Sequence, residues 1–431
     1  MRIDLYIVLI MWMTLVKNTY GQEVSVLQLK GFMPGTFLNP GLPLDKKVNI
    51  SIGSFGLSGG TNGPGIGDIT SKNLDGKRYI DLDKFSGNLN PTKDVFGQSE
   101  IRTLDFGIRF GNFALIAGHA MKAYGNLSYT SDLIHLAAYG NGNYIGKTLD
   151  LAPVLDVSAY NEIYIGAQKT SGRFTLGLKA KLLYGISNIY TETSDVKLTT
   201  SAEYYQLQFK NDYVIRSSGL LRYYSLDSIT FDNSLVSFDN FFYNNRGFAV
   251  DLGASFKVNE NLTLSASALD LGSISWDFFP RKYSSQGTFT FEGVDIVDYI
   301  TDSTLTVSDT LLRIIDVKSD IEKYSTSLNY TFTLGGLYQS GRWSFNALYL
   351  LQNKFGQRNH ILSLSAIRKI GFIDLGLQYR IAKNDYAGLG LFSRMQFGPV
   401  ALYLASDNIM GLFNIENAKS ASIRFGTTLQ F

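Results

Sequence analysis

Along much of this chain apolar and polar residues alternate one for one. Leu104, Phe106, Ile108 and Phe110 alternate with Asp105, Gly107 and Arg109; Phe174, Leu176, Leu178, Ala180, Leu182 and Tyr184 alternate with Thr175, Gly177, Lys179 and Lys181. Phe248, Val250, Leu252, Ala254 and Phe256 alternate with Ala249, Asp251, Gly253, Ser255 and Lys257, and Ile373, Leu375, Leu377, Tyr379 and Ile381 with Asp374, Gly376, Gln378 and Arg380. A period of two is that of a β-strand with one greasy face. Several such runs reach nine residues or more, longer than the usual soluble strand and close to what a tilted strand needs to cross a bilayer. A soluble sandwich also alternates, but its polar face meets bulk water. Here the polar parity is rich in Gly and Ser with scattered charges of both signs, which suits a confined, curved lumen. The greasy face is therefore predicted to touch lipid.

The connections sort into two classes. Short links fall at Gly111-Asn112, Ser171-Gly172, Asn259-Glu260-Asn261, Ser340-Gly341, Lys369-Ile370-Gly371 and Gly398-Pro399, most with the Gly or Asn of a tight hairpin. Between them lie connections near 58–100, 125–158, 187–246, 271–323, 354–358, 383–385 and 407–419. Six short and seven other links join fourteen strands (range 12–16). The predicted fold is an all-β, antiparallel up-and-down transmembrane barrel over 47–431, with both termini on the short-turn, periplasmic side. The last strand pairs with the first, near 48–57, to close it. Trp343 is expected at the inner rim and Trp276 at the outer rim, as girdle residues.

Composition narrows this further. Aromatics make up 13% of the 431 residues, with 42 Gly and only 8 Pro, the profile of many strands and turns. A net charge of +2 supplies no field for nucleic acid. The absence of cysteine excludes disulfides and thiolate metal sites. Residues 1–21, with the apolar run LYIVLIMWMTLV at 5–16, have the form of a cleaved export signal, too short to span. No later stretch approaches eighteen apolar residues.

The final segment, SASIRFGTTLQF at 420–431, resembles a barrel-assembly signal, with Phe425, Leu429 and Phe431 on its greasy parity. The stretches LYLASDNIMGLFN (402–414), ASALDLGSISW (266–276), YIDLDKFSGNLN (79–90) and FLNPGLP (37–43) resemble an uncharacterised outer-membrane barrel family of Bacteroidota. That family is similar, distantly, to fourteen-stranded fatty-acid-transporter-type barrels and to the PorV and PorP/SprF barrels of type IX secretion and gliding. The resemblance implies an outer-membrane location, and implies that residues 22–46 fold into the lumen as a plug. It supplies no catalytic residue.

Candidate chemistry is sparse. His119, His135 and His360 are the three histidines; His119, in a greasy strand, comes nearest to a lipase-like setting, but no serine motif accompanies it. The Gly-rich stretch 59–68 lacks a P-loop Lys-Ser/Thr and reads as a flexible loop. The run 225–240 lacks calcium-loop spacing. No cofactor, metal or catalytic residue is assigned. Inward parity falls to Asp105, Arg109, Lys179, Lys181, Asp251, Lys257, Asp374, Arg380, Arg394 and Arg424, either as a polar pathway or as a paired network gripping the plug. Asp270 shares parity with Leu262, Leu264, Ala266 and Ala268 and is placed at the outer rim. The loop 187–246 carries Tyr190, Tyr204, Tyr205, Tyr213, Tyr223, Tyr224 and Tyr243 with Phe231, Phe238, Phe241 and Phe242, a recognition surface or a loop cap. The expected function is a non-enzymatic outer-membrane barrel that binds a surface or secretion-system protein as an accessory of secretion, gliding or surface assembly. The alternative is a conduit for a small or hydrophobic solute, and a remote one is a lipase. Its expected partners are outer-membrane lipid and, through the last strand, the barrel-assembly machinery; nucleic acid is not among them.

Overall fold

A computed structural model describes residues 31–87, 92–225, 228–291, 317–382, 385–413 and 418–431. Fourteen antiparallel strands form the wall of a closed barrel: β1 (Val48–Thr61), β2 (Thr92–Phe110), β3 (Phe113–Thr130), β4 (Val154–Ser171), β5 (Phe174–Thr200), β6 (Arg246–Lys257), β7 (Leu262–Trp276), β8 (Tyr330–Ser340), β9 (Trp343–Lys354), β10 (Gln357–Ile370), β11 (Ile373–Ala382), β12 (Asp385–Phe397), β13 (Val400–Ser406) and β14 (Ser420–Gln430). Each pairs with its neighbours in sequence, and β1 pairs with both β2 and β14, Asn49 facing Gln430, so no wall edge stays open. The first and last strands meet on the short-turn side, which puts both ends of the wall there.

Short-range sequence chemistry sets the turn rim. Gly111, Gly172, Gly341, Gly371 and Gly398 all have φ between 56° and 61°, which tight hairpins demand and a side chain resists. The sixth turn uses Asn259 instead, its Oδ1 accepting from the Asn261 and Leu262 amides. Just above these turns the outer wall carries an aromatic ring of Phe110, Phe113, Phe174, Trp343, Phe372, Phe397 and Phe431, all exposed. Above the ring lies a belt of exposed Leu104, Leu115, Ile165, Leu176, Leu178, Leu252, Leu334, Leu364, Leu377 and Leu404. In water so much contiguous apolar surface would drive aggregation; in hydrocarbon it is the matching surface.

The loop rim departs from expectation in three respects. The loops assigned to 187–246 and 271–323 contain regular sheet: β5 runs on to Thr200 and pairs with a strand at Leu207–Gly219, which pairs with one at Arg281–Phe291. β2 and β3 likewise extend into the stretches assigned as loops, to Thr92 and Thr130. Within the Gly-rich stretch, Ile66–Ile69 forms one helical turn, with the Gly65 amide donating to Asp68. Residues 1–30, and with them the export signal and the start of the plug segment, lie outside the described residues, as do 292–316.

Trp276 is not a girdle residue. In β7, Leu252 of β6 faces Ala268 while Val250 faces Leu271, so Leu269 and Asp270 together oppose Asp251 in a bulge. The extra residue reverses the parity beyond it. Ile274 and Trp276 turn inward, and Trp276 is fully buried, 6.3 Å from the Tyr324 ring with its Nε1 donating to Thr326.

Candidate functional site

Residues 31–46 lie inside the lumen. The apolar plug side chains choose apolar wall. Phe32 and Leu38 pack with Leu348, Leu350, Ile361, Ile367, Phe392 and Tyr403, and Met33 and Leu44 with Ala114, Ile116 and Tyr164. On β9, β10 and β3 the inner face therefore carries apolar side chains between its polar ones.

Elsewhere the plug backbone is held by wall side chains. Gln168 donates to the Pro40 and Leu42 carbonyls, each at 2.8 Å. Ser255 donates to Gly41 O (2.7 Å), Ser267 to Leu38 O (2.7 Å), Lys179 to Thr36 O (2.8 Å) and Arg109 to Asp45 O (3.0 Å). Asn39 reaches out in return, donating to the Ala254 and Ala266 carbonyls. The Pro40–Gly41 backbone comes this close because Gly177 and Gly253, paired across β5 and β6, leave the wall bare there.

Beside the plug lies a buried ionic network. Lys181 Nζ sits 2.6 Å from Asp270, 2.7 Å from Asp251 and 3.5 Å from Glu162; Lys122 bridges Glu162 (2.8 Å) and Asp270 (3.3 Å). Arg102 pairs with Glu100 and Asp105, Tyr164 donates to Asp105, and Arg424 binds Glu100 at 3.2 Å. Arg394 pairs with Asp374 and lies over the Phe32 ring, while Arg380 is fully buried opposite Ser363 and Gly388. Lys179 faces two aromatic rings, Tyr164 at 4.4 Å and Phe37 at 5.6 Å. Arg109 and Lys257 line the turn-side mouth.

Asp270 is thus corrected from the outer rim to the lumen. Its φ of +58° at the bulge swings the carboxylate inward, and its own amide donates to Asp251. Glu100, Arg102, Lys122 and Glu162 were not picked out by parity. For Glu100 and Arg102 the reason is a second bulge: Arg102 faces Ala120 and Leu104 faces His119, leaving Thr103 as the extra residue.

The plug divides two spaces. On the loop side a cavity of about 110 Å³ is bounded by Phe37, Glu100, Lys122, Tyr124, Tyr160 and Lys354. On the turn side one of about 370 Å³ is bounded by Leu44, Asp45, Arg109, Arg173 and Lys257.

The loop aromatics do not form one surface. Tyr204 and Tyr205 stand exposed, 68% and 66%, at the turn after β5. Tyr213 packs beside Leu155, Ile189 and Ile215. Phe241, Phe242 and Tyr243 belong to helix α1 (Phe238–Phe242) and its C-cap, seated against the outside of the wall. Tyr223 and Tyr224 lie on Leu221–Ser225, with side chains outside the described residues. His119 faces outward, hydrogen-bonded to Thr103 (3.0 Å) and Asn161 (3.3 Å), and among the described residues no serine joins these contacts. Phe425 and Phe431 are exposed on the outer face and Leu429 partly so. Among the described residues no cluster of acidic or histidine side chains is arranged for a metal.

Solved structures similar to this chain include a Pseudomonas aeruginosa FadL homologue (11% identity, TM-score 0.45, covering 96% of this chain and 98% of that one). The Ralstonia pickettii toluene transporter TbuX is similar at 9% identity and TM-score 0.45, with 92% and 94% covered. The Pseudomonas putida toluene transporter TodX is similar at 11% identity and TM-score 0.42, with 92% and 94% covered. The fold assignment rests on the strand register above rather than on these likenesses. No curated protein matches the chain. Residues 40–407, nearly the whole wall, match one family, and the chain belongs to it: the family of unknown function DUF5723.

Proposed function

We propose that this protein is an outer-membrane conduit for a small, mainly apolar solute, with residues 31–46 as its hatch. The observation that carries the reading is the way the plug is held. Its grip on the wall is a set of side-chain hydrogen bonds to plug carbonyls, the two that Asn39 returns to wall carbonyls, two apolar contacts, and the Arg102, Lys179 and Arg394 cations over the Phe37 and Phe32 rings, all of which water and solute can replace. Withdrawal would join the two cavities and uncover Leu348, Leu350, Ile361, Ile367, Phe392 and Tyr403. The opposite wall is ionic but internally paired, so it offers no ring of one sign to select ions. A pathway greasy on one side and polar on the other suits an apolar molecule with a polar end better than an ion.

The accessory-protein reading draws less support, because Phe241, Phe242 and Tyr213 are engaged with the barrel itself. It retains the exposed pair Tyr204 and Tyr205. Planar-bilayer recording tests the hatch: the intact chain should stay closed, and a chain lacking residues 31–44 should conduct steadily. Absence of conductance from a folded deletion variant would refute a hatch over a through-lumen.

A further inference from the structure

Helix α1, at the loop rim, lies on the outer wall of the barrel. Asn161 Nδ2, on the outward face of β4, donates to Phe241 O at 2.9 Å, and its Oδ1 accepts from His119 Nε2 at 3.3 Å. From that clamp an aromatic ladder leads away from the wall: the Phe242 ring lies 5.6 Å from His119 and 6.3 Å from Tyr184, Phe238 is 4.8 Å from Phe242, and Tyr243 is 6.4 Å from Phe238. Phe238 is 69% exposed and Tyr243 55%.

The height of this ladder is fixed by register. Asn161 faces Tyr184 on β5, and Tyr184 faces Arg246 on β6; each stands ten or eleven residues above its turn. At a rise of about 3.3 Å per residue and a tilt near 40°, that is about 25 Å, the height of a barrel's lipid belt. Leu182, one outward position below Tyr184, is still exposed as belt. Arg246 points outward beside the ladder; its Nε donates to Tyr243 O, and among the described residues its terminal nitrogens have no carboxylate within ion-pair reach. The other charge on this feature is Asp239, at the start of α1.

We propose that α1 with Arg246 is a docking site for an anionic lipid of the outer leaflet, the rings of Phe238 and Tyr243 seated among the upper acyl chains and the Arg246 guanidinium on the headgroup phosphate. The site is continuous with the lipid belt, and aromatic side chains backed by a basic one are the chemistry of that boundary. It does not depend on whether the lumen conducts.

The test uses the whole barrel in phosphatidylcholine vesicles with and without phosphatidylglycerol. In a Trp343→Phe background, where Trp276 is buried, fluorescence of Phe238→Trp should be quenched by lipids brominated high on the acyl chain and little by aqueous iodide; quenching by iodide alone would overturn the proposal and turn the face toward a protein. Spin-labelled phosphatidylglycerol should associate in preference to phosphatidylcholine, and Arg246→Gln should lower that preference about fivefold. Arg246→Lys should restore most of it, and Asp239→Asn should raise it. An unchanged preference in a heat-modifiable Arg246→Gln barrel would overturn the headgroup assignment.

Discussion

Replacing Gly177 with Ala probes the hatch without touching a single hydrogen-bonding side chain. A Cβ at Gly177 would overlap the Pro40 carbonyl and stand 2.7 Å from the Gly41 nitrogen, and both are backbone rather than a movable side-chain end. Non-bonded contact needs about 3.5 Å and the Pro40 carbonyl oxygen would lie 1.9 Å from the new Cβ, so the Pro40–Gly41 segment must retreat by about 1.5 Å. The bonds from Gln168 to Pro40 O and Leu42 O, and from Ser255 to Gly41 O, now 2.7–2.8 Å, would then stretch beyond useful length. Three such bonds at about 1 kcal/mol each cost about 3 kcal/mol, roughly a hundredfold in the closed-to-open ratio. The chain has no cysteine, so Leu42→Cys alone reports hatch position through its rate of reaction with a water-soluble maleimide. The rate should rise strongly in the Gly177→Ala background and stay unchanged with Gly336→Ala, where the nearest atom to the new methyl is 3.7 Å away. Equal labelling in folded Gly177→Ala and its parent would refute the claim that this close approach holds the hatch.

Other expectations follow from the same geometry. Asp270→Asn removes one carboxylate from each of Lys122 and Lys181, which keep Glu162 and Asp251, and should cost about 1.5–3 kcal/mol in urea unfolding from lipid; a loss below about 0.5 kcal/mol would mean that water already screens these pairs. Asp156, on β4 above the lipid belt, faces Asn126 and Tyr190 and has no hydrogen-bond partner among the described residues; burial pushes its carboxyl up to about 7. An acid whose folded pKa is raised favours the fold when protonated, so stability should fall as pH rises from about 4 to about 7, and Asp156→Asn should flatten that slope in unfolding measurements. Phe431→Asp places a charge on the exposed terminal ring position and should lower the yield of heat-modifiable barrel; undiminished yield would remove the assembly role assigned to the last strand.

Parity in the sequence placed the strands wherever the ladder is regular, and the Gly and Asn of the turns placed the rim. The ten charges assigned to the inner face all lie on strands whose alternation survives to the turn. Parity failed at the bulges. Thr103 hid Glu100 and Arg102, and the Leu269–Asp270 bulge misplaced both Asp270 and Trp276. The carboxylate of Asp270 on a lipid-facing parity was itself the available signal, since hydrocarbon does not accept it unpaired. Lys122 and Glu162 escape parity for another reason: the inner face of β3 carries Ala114 and Ile116, and that of β4 carries Tyr160 and Tyr164, which blurs the alternation around them. The long loops gave no period because their strands project past the membrane, where neither face is forced to be greasy.

The most direct test of a hatched conduit is uptake of an apolar tracer with the hatch free or fixed. Cysteines at Leu42 and Gln168, whose side-chain amide now bonds the Leu42 carbonyl, can be joined by a short thiol cross-linker in the otherwise cysteine-free chain. Proteoliposomes bearing the uncross-linked pair should take up tracer faster than empty vesicles, and cross-linking should abolish the difference until reductive release. Uptake that is equally fast with the hatch fixed would contradict the account.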